Sequence, residues 1–296
     1  MALLAEVRET IESVSAKVGP SLVGVGQRWG IGSGVVVGDG RVLTNAHNIR
    51  GEEISVTFAD GRTENGSVAG VDVDGDLAVV NVDTKGAPAL DWSETDGVGI
   101  GTAVLALANP GGRGLRVTVG LVSGTERSFR GPRGSRITGS IEHTAPLLPG
   151  SSGGPIVDED GRLLGLNTNR IGEGFYLAIP ADSSLRDRVD ALARGEAPER
   201  PRLGVAIAPA HVARHMRRAV GLPETDGLLV RGVSEEGPAA KAGIAEGDLI
   251  TAAAGKPLRD ADELHAALDA LKKGAPLELT VLRGTEERTV SVSFGS

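Results

Sequence analysis

Asp-Gly or Asn-Gly pairs punctuate the chain at 39–40, 60–61, 65–66, 74–75, 96–97 and 160–161. Such pairs supply the positive φ angles that tight hairpin turns require. Between them lie short runs of Val, Ile and Leu. Many short strands at this spacing predict an all-β region of barrels or a sandwich over 21–180. The Gly count serves the same argument: 44 of 296 residues, against a usual share of roughly 7%. The excess has no three-residue period, which excludes a collagen-like chain.

The texture changes on both sides of this region. Over the first eighteen residues Leu3 or Leu4, Val7, Ile11, Val14 and Val18 recur at helical spacing until Gly19-Pro20 stops the pattern. Glu6, Arg8, Glu9 and Glu12 interrupt this stretch, so it reads neither as a signal peptide nor as a membrane span. It reads as a helix packed on the body or on a neighbouring subunit, with interfacial membrane binding as the lesser alternative. After 180, Asp182 or Ser183 can cap a helix carrying Leu185, Val189 and Leu192. Residues 194–201 are polar and Pro-containing, and read as a linker.

The last hundred residues mix helix and strand. Helices are expected over 208–220, 238–244 and 260–271, with Leu264, Leu268 and Leu271 on one face of the third. Strands are expected over 227–233, from 247, and as a closing hairpin over 277–282 and 289–294.

Composition removes several functions. The chain has no Cys, which excludes a disulfide scaffold, a thiol enzyme and a thiolate metal site. Its formal net charge is −8 and it has four Phe, two Trp and one Tyr. Phosphate contacts need a basic face and base stacking needs aromatics, so nucleic acid is not an expected partner. Nothing in the residues calls for a cofactor.

One segment carries chemistry: Gly150-Ser151-Ser152-Gly153-Gly154-Pro155. Gly150, Ser152 and Gly154 also fit the nucleophile elbow of α/β-hydrolases, which needs a helix after the serine. Here two apolar runs around Asp160-Gly161 predict a hairpin instead. A serine nucleophile needs a base and an orienting carboxylate. Of five His (47, 143, 211, 215 and 265), His47 follows a strand-like run. Asp76 opens another such run. The order His47, Asp76, Ser152 is that of chymotrypsin-like enzymes; elbow hydrolases run Ser, Asp, His.

Asp72 and Asp74 share the alternation of Asp76 and compete with it for the acid role. The Asp-x-Asp-x-Asp run also raises calcium, but Leu77 stands where the EF-hand loop requires Gly. No metal site is expected. His143 reads as structural. The remaining His fall in the C-terminal part, as surface or groove residues.

Seven segments in order resemble the HtrA (Deg) family of trypsin-like serine proteases. They are Gly32-Ser33-Gly34, Thr44-Asn45-Ala46-His47, Asp76-Leu77-Ala78, Asn109-Pro110-Gly111, Val119-Gly120-Leu121-Val122-Ser123, the Ser152 segment, and Leu177-Ala178-Ile179-Pro180. The resemblance covers about 21–185. The C-terminal part resembles the PDZ domain that follows the protease in that family, through Leu203-Gly204-Val205, residues 238–244, Gly247-Asp248-Leu249-Ile250 and Gly255.

The implied fold is mostly β: a chymotrypsin-like double β-barrel, then a small α+β PDZ domain. The implied organisation is an N-terminal helix over 1–20, protease domain over 21–195, linker over 196–202 and PDZ domain over 203–296.

The implied activity is ATP-independent endoproteolysis of unfolded or damaged proteins through an acyl-enzyme. Ser152 attacks, His47 moves the proton and Asp76 orients His47. The N–H groups of Gly150 and Ser152 form the oxyanion hole. Pro146, Leu147 and Leu148, with strand residues Asn167, Thr168 and Asn169, form the substrate pocket. No acid lies six residues before the nucleophile, which predicts an aliphatic residue before the scissile bond. Arg170 complicates this, standing where the family often has an aliphatic residue.

Leu203, Gly204 and Val205, with Leu264 and Leu268 as the far wall, are expected to bind C-terminal peptides, helped by Arg200 or Arg202. Core packing is the competing reading of those leucines. The resemblance also implies a homotrimer and control of the oxyanion loop by the PDZ domain. It implies an extracytoplasmic location, whereas the residues alone are equally compatible with the cytoplasm.

Two departures stand beside the catalytic atoms: Asn48 replaces a usual aliphatic residue and Ser151 a usual Asn. The loop between Val25 and Ile31 is short, and no leader or anchor is recognisable. Two rivals remain. A peptide-binding chaperone with little proteolysis would not need an intact triad. An α/β-hydrolase esterase fails on chain order and on the hairpin.

Overall fold

A computed structural model describes residues 2–27, 30–51, 53–92, 98–131, 136–172, 174–196, 201–208, 210–271 and 274–294. The chain divides into two compact units, Met1–Pro198 and Glu199–Ser296. The Asp-Gly pair at 96–97, Arg200 and most of the expected linker lie outside the described residues.

In the first unit, β1 (Leu22–Gln27), β2 (Gly30–Gly38), β3 (Arg41–Thr44), β4 (Glu53–Phe58), β5 (Thr63–Asp72) and β6 (Leu77–Asn81) form one closed barrel. A second barrel contains β7 (Ala103–Ala108), β8 (Arg116–Arg130), β9 (Arg136–His143), β10 (Pro155–Val157), β11 (Leu163–Ile171) and β12 (Phe175–Pro180). The strand order is 1-2-3-6-5-4 in the first and 10-11-12-9-8-7 in the second. Closure removes the exposed edges that open sheets must protect.

The apolar runs lack a polar face because both faces of these strands are buried. Val36, Val42 and Val80 fill the first barrel, while Val35, Leu43 and Val79 face the seam between barrels. Val104, Ala106 and Ile156 fill the second, while Leu105, Leu107 and Val157 join the seam. Helix α1 (Ala2–Val18) adds Val14 and Val18 to that seam. Lys17 Nζ on α1 donates to the Asp160 carbonyl at 2.8 Å. Helix α2 (Ser183–Ala193) is capped by Asp182, which accepts the Leu185 N–H, and buries Leu185, Val189 and Leu192.

The hairpin expectation holds at Gly40, Gly61 and Gly161, each with positive φ in a turn. It fails at Asn65-Gly66, which lies inside β5 opposite Ser55 and Ile54. A Cβ on Gly66 would meet Val80 Cγ1 at 2.5 Å, so close packing explains that glycine. At 74–75 the positive φ belongs to Asp76, not Gly75. A Cβ on Gly75 would lie 1.9 Å from Arg188 Nη2.

The second unit has a sheet in the order 13-14-15-17-18: β13 (Val205–Ala208), β14 (Leu228–Val233), β15 (Leu249–Ala253), β17 (Leu277–Arg283) and β18 (Glu286–Val292). The short β16 (Lys256–Pro257) pairs with β15. Helices α3 (Ala210–Ala219), α4 (Pro238–Lys241) and α5 (Ala261–Asp269) complete the unit. Asp260 caps α5 by accepting the N–H groups of Asp262 and Glu263. Both carboxylate oxygens of buried Asp248 accept from Arg283 at 2.8 Å, tying the turn before β15 to β17. The described residues contain no helix long and apolar enough to cross a membrane.

Candidate active site

His47 stands on a single helical turn, Ala46–Asn48, directly after β3. Asp76 occupies the β5–β6 turn with φ 53° and is 1% exposed. A non-glycine residue in this conformation is strained and persists only where its surroundings hold it. Asn45 Nδ2 donates to the Asp76 carbonyl at 3.0 Å. The backbone N–H of His47 donates to Asp76 Oδ1 at 3.1 Å.

The His47 Nδ1 position lies 2.9 Å from both carboxylate oxygens of Asp76. Facing a carboxylate, Nδ1 carries the proton and Nε2 is left to accept one. Thr168 Oγ1 on β11 also donates to Asp76 Oδ2. Two barrels thus hold one acid: His47 and Asn45 belong to the first, Thr168 to the second.

The competing acids have partners of their own. Asp72 pairs with Arg188 at 2.7 Å, and Asp74 is buried with a partner of its own. The described residues contain no cluster of three or more side chains able to hold a metal ion.

Ser152 lies between Gly150 and Gly153, whose φ angles are 87° and 85°. The carbonyls here face the first barrel. Ser33 Oγ donates to Gly150 O at 2.8 Å, and Ser33 N–H donates to Ser152 O at 2.9 Å. Asn48 Nδ2 adds a second donor to Ser152 O at 3.0 Å. Gly153 and Asn167 fix the other side, with Gly153 N–H on Asn167 O and Asn167 N–H on Gly154 O, both 2.8 Å. The N–H groups of Gly150 and Ser152 have no acceptor among the described residues. Ser152 Oγ donates to the Thr168 carbonyl at 3.1 Å, and no hydrogen bond joins it to His47.

His47, Asp76, Gly150 and Ser152 line one cavity of about 490 Å³. Leu147, Leu148, Thr168 and Asn169 line it too, as expected of pocket residues. Two expected members do not. Pro146 is exposed and outside the cavity, its carbonyl taken by Thr118 Oγ1 at 2.8 Å. Asn167 is fully buried and directs its side chain to His143 and the Pro155 carbonyl.

Several lining residues escaped the sequence: Phe129, Arg130 and Tyr176 come from distant strands. The sequence marks Thr168 only as a pocket residue. Its bond to Asp76 joins residues 92 positions apart, which no local pattern announces.

His143 is structural. Its Nε2 meets Asn167 Oδ1 at 3.0 Å and its ring stacks on Tyr176. Burial pushes its pKa down to about 4.

In the second unit Leu203, Leu264 and Leu268 are core residues, 3%, 4% and 6% exposed. Their burial beneath the sheet favours the packing reading over a purely groove-lining one. Val205 packs partly on the same core. Gly204 has φ 74°, and its carbonyl accepts the Ser234 N–H at 2.8 Å. β13 pairs with β14 on one side and ends the sheet on the other.

Residues 32–166 match the trypsin-like peptidase domain family, and residues 201–294 match the PDZ domain family. HhoA of Synechocystis sp., named as a serine protease, is 34% identical over 279 residues, 89% of this chain and 70% of HhoA. The chain belongs to the HtrA (Deg) family of trypsin-like serine proteases.

Within the HtrA family, a Halomonas elongata protein named "Probable periplasmic serine endoprotease DegP-like" is 33% identical over 91% of this chain. The chain spans 57% of that relative's length. The solved HtrA-type protease AlgW with decapeptide superposes with a TM-score of 0.74 at 27% identity, covering 96% of this chain and 98% of AlgW. The two barrels and the following PDZ unit are therefore the HtrA architecture.

Proposed function

We propose that the chain is a serine endopeptidase acting on unfolded proteins through a His47–Asp76–Ser152 triad, without ATP. The supporting observation is the His47–Asp76 pair, with Nδ1 at 2.9 Å from the carboxylate, in one cavity with Ser152. Asp76 orients the imidazole, so Nε2 is free to take the Ser152 proton. Oγ must first leave the Thr168 carbonyl, then attack the scissile carbonyl to give a tetrahedral oxyanion. The N–H groups of Gly150 and Ser152, which have no acceptor among the described residues, stabilise that oxyanion. His47 then protonates the leaving amine, and water hydrolyses the acyl-enzyme by the same steps in reverse roles. Losing one oxyanion donor typically costs about 10²–10³ in rate.

The PDZ unit recruits peptide C-termini. The free side of β13 can take an extended strand, and the Leu203-Gly204-Val205 segment lies where a carboxylate would end it. Homotrimer assembly, and control of the Gly150 segment by peptide at the PDZ unit, complete the reading.

Incubation with unfolded casein and with a fluorophosphonate, beside Ser152→Ala, tests the peptidase. Casein cleavage and labelling are expected, both lost in the variant. One observation favours a second reading, a peptide-binding chaperone: the Ser152 Oγ bond to Thr168 rather than His47. Protection of casein from aggregation without cleavage or labelling would select it.

A further inference from the structure

The cavity beside Ser152 is cationic. Arg170 lies on β11 two residues beyond Thr168 and lines it. Its Nε donates to the Gly172 carbonyl at 2.7 Å, which fixes the guanidinium against its own turn. Its two Nη groups have no acceptor among the described residues. Arg130 brings a second guanidinium to the same wall. Among the described lining residues the carboxylate is Asp76, and it is buried and shared by His47 and Thr168. The larger apolar and aromatic lining residues are Phe129, Leu147, Leu148 and Tyr176.

A substrate carbonyl must come within about 3–3.5 Å of Oγ to react. The side chain of that same residue, P1, is then the substrate group nearest these walls. An aliphatic P1 would satisfy the leucines and leave the Nη donors of exposed Arg170 to solvent. A carboxylate can accept from both Nη groups while its methylenes lie on the leucines, and charge-assisted Arg–carboxylate bonds are among the strongest in proteins. A Lys or Arg P1 would face the Arg170 guanidinium.

We propose that Arg170 determines specificity and that the chain cleaves after Asp or Glu. This rests on the peptidase reading above and replaces the aliphatic preference expected from the sequence. Arg170 acts on the substrate side chain, so its effect belongs in the P1 selectivity.

The test uses the full chain and one peptide series differing at P1: Glu, Gln, Leu and Lys. Fluorophosphonate labelling counts competent sites, so rates are compared per site, and cleavage positions in unfolded casein are mapped alongside. Glu is expected to exceed its isostere Gln by roughly tenfold in kcat/KM. The ratio should shrink as NaCl rises. Arg170→Leu should bring Glu and Gln level and move casein cleavage to aliphatic sites. Arg170→Lys should keep part of the ratio. A Glu:Gln ratio near one, or a ratio that survives Arg170→Leu, overturns the proposal and leaves the peptidase standing. No cleavage of any peptide or of casein overturns the peptidase reading, and this inference with it.

Discussion

Arg188 Nη2 donates to the Asp72 carboxylate at 2.7 Å, and Asp72 Oδ1 in turn accepts the Gly75 N–H at 2.8 Å. Helix α2 thereby holds the turn in which Asp76 sits at positive φ. Asp72 is 3% exposed, so losing Arg188 removes a cation from beside a buried charge. Arg188→Met is expected to cost about 1–3 kcal/mol of stability. It should also lower kcat more than it raises KM, because it loosens Asp76 and not the substrate pocket. Adding Asp72→Asn should recover part of the stability, since the charge is then gone. Urea unfolding and steady-state peptide hydrolysis measure both effects. Additive losses in the double variant would show that the pair is not coupled.

Asp76→Asn keeps shape and changes one donor. The Asn amide would present N–H where Nδ1–H of His47 now points, favouring the tautomer that protonates Nε2. An Nε2 that carries a proton cannot take one from Ser152. The expected loss is about 10⁴ in kcat, with the melting temperature within a few degrees of the parent. Asp74→Asn is the comparison. If it were the more damaging change, Asp76 would not be the triad acid.

Gly153 separates backbone strain from collision. Its φ is 85°, and a Cβ would lie 2.1 Å from the Ser33 carbonyl and 2.5 Å from Thr44 Oγ1. Gly61 has nearly the same φ, 86°, but nothing within 4 Å of its Cβ position. Gly61→Ala should cost about 1–2 kcal/mol from φ alone. Gly153→Ala adds about 1–3 kcal/mol of overpacking and displaces Ser152, so hydrolysis should fall by two orders of magnitude or more. Equal losses of stability and activity at the two sites would remove the collision from the account.

The residues proposed as the triad are legible in the sequence because each sits in a short local pattern: a histidine after a strand, an aspartate before one, and a serine among glycines. The architecture was readable because Val36, Val80 and their neighbours alternate between two buried faces. What stayed hidden depends on contacts between distant strands. Thr168 reaches Asp76 across the two barrels. Gly66 looked like half of a turn, since a glycine needed for close packing against Val80 has the same letter as one needed for positive φ. Pro146 lay at the expected offset from Ser152, yet its segment bends away and presents Leu147 and Leu148 instead. Offsets along a chain fix spacing but not the direction in which a loop leaves the strand.

His143 makes the stability of the first unit depend on pH. In the folded chain its Nδ1 is buried without a partner and its Nε2 faces the Asn167 carbonyl oxygen. Burial is the larger influence and lowers its pKa from 6.5 to about 4, against the opposing hydrogen bond to Asn167. Between those values the unfolded chain binds a proton that the folded chain does not, so stability rises with pH across this window. The contribution is complete above about pH 6.5 and is lost progressively towards pH 4. A shift of this size corresponds to about 3 kcal/mol. Urea unfolding at pH 7 and pH 4.5, in a Ser152→Ala background to prevent self-cleavage, measures it. His143→Gln, which cannot titrate, should lose about 2–3 kcal/mol less than its parent on going to pH 4.5. Other titrating groups are common to both proteins and cancel in the difference. An identical pH dependence in the two proteins would mean that His143 takes up its proton without unfolding, and that the pocket between Asn167 and Tyr176 can open to water.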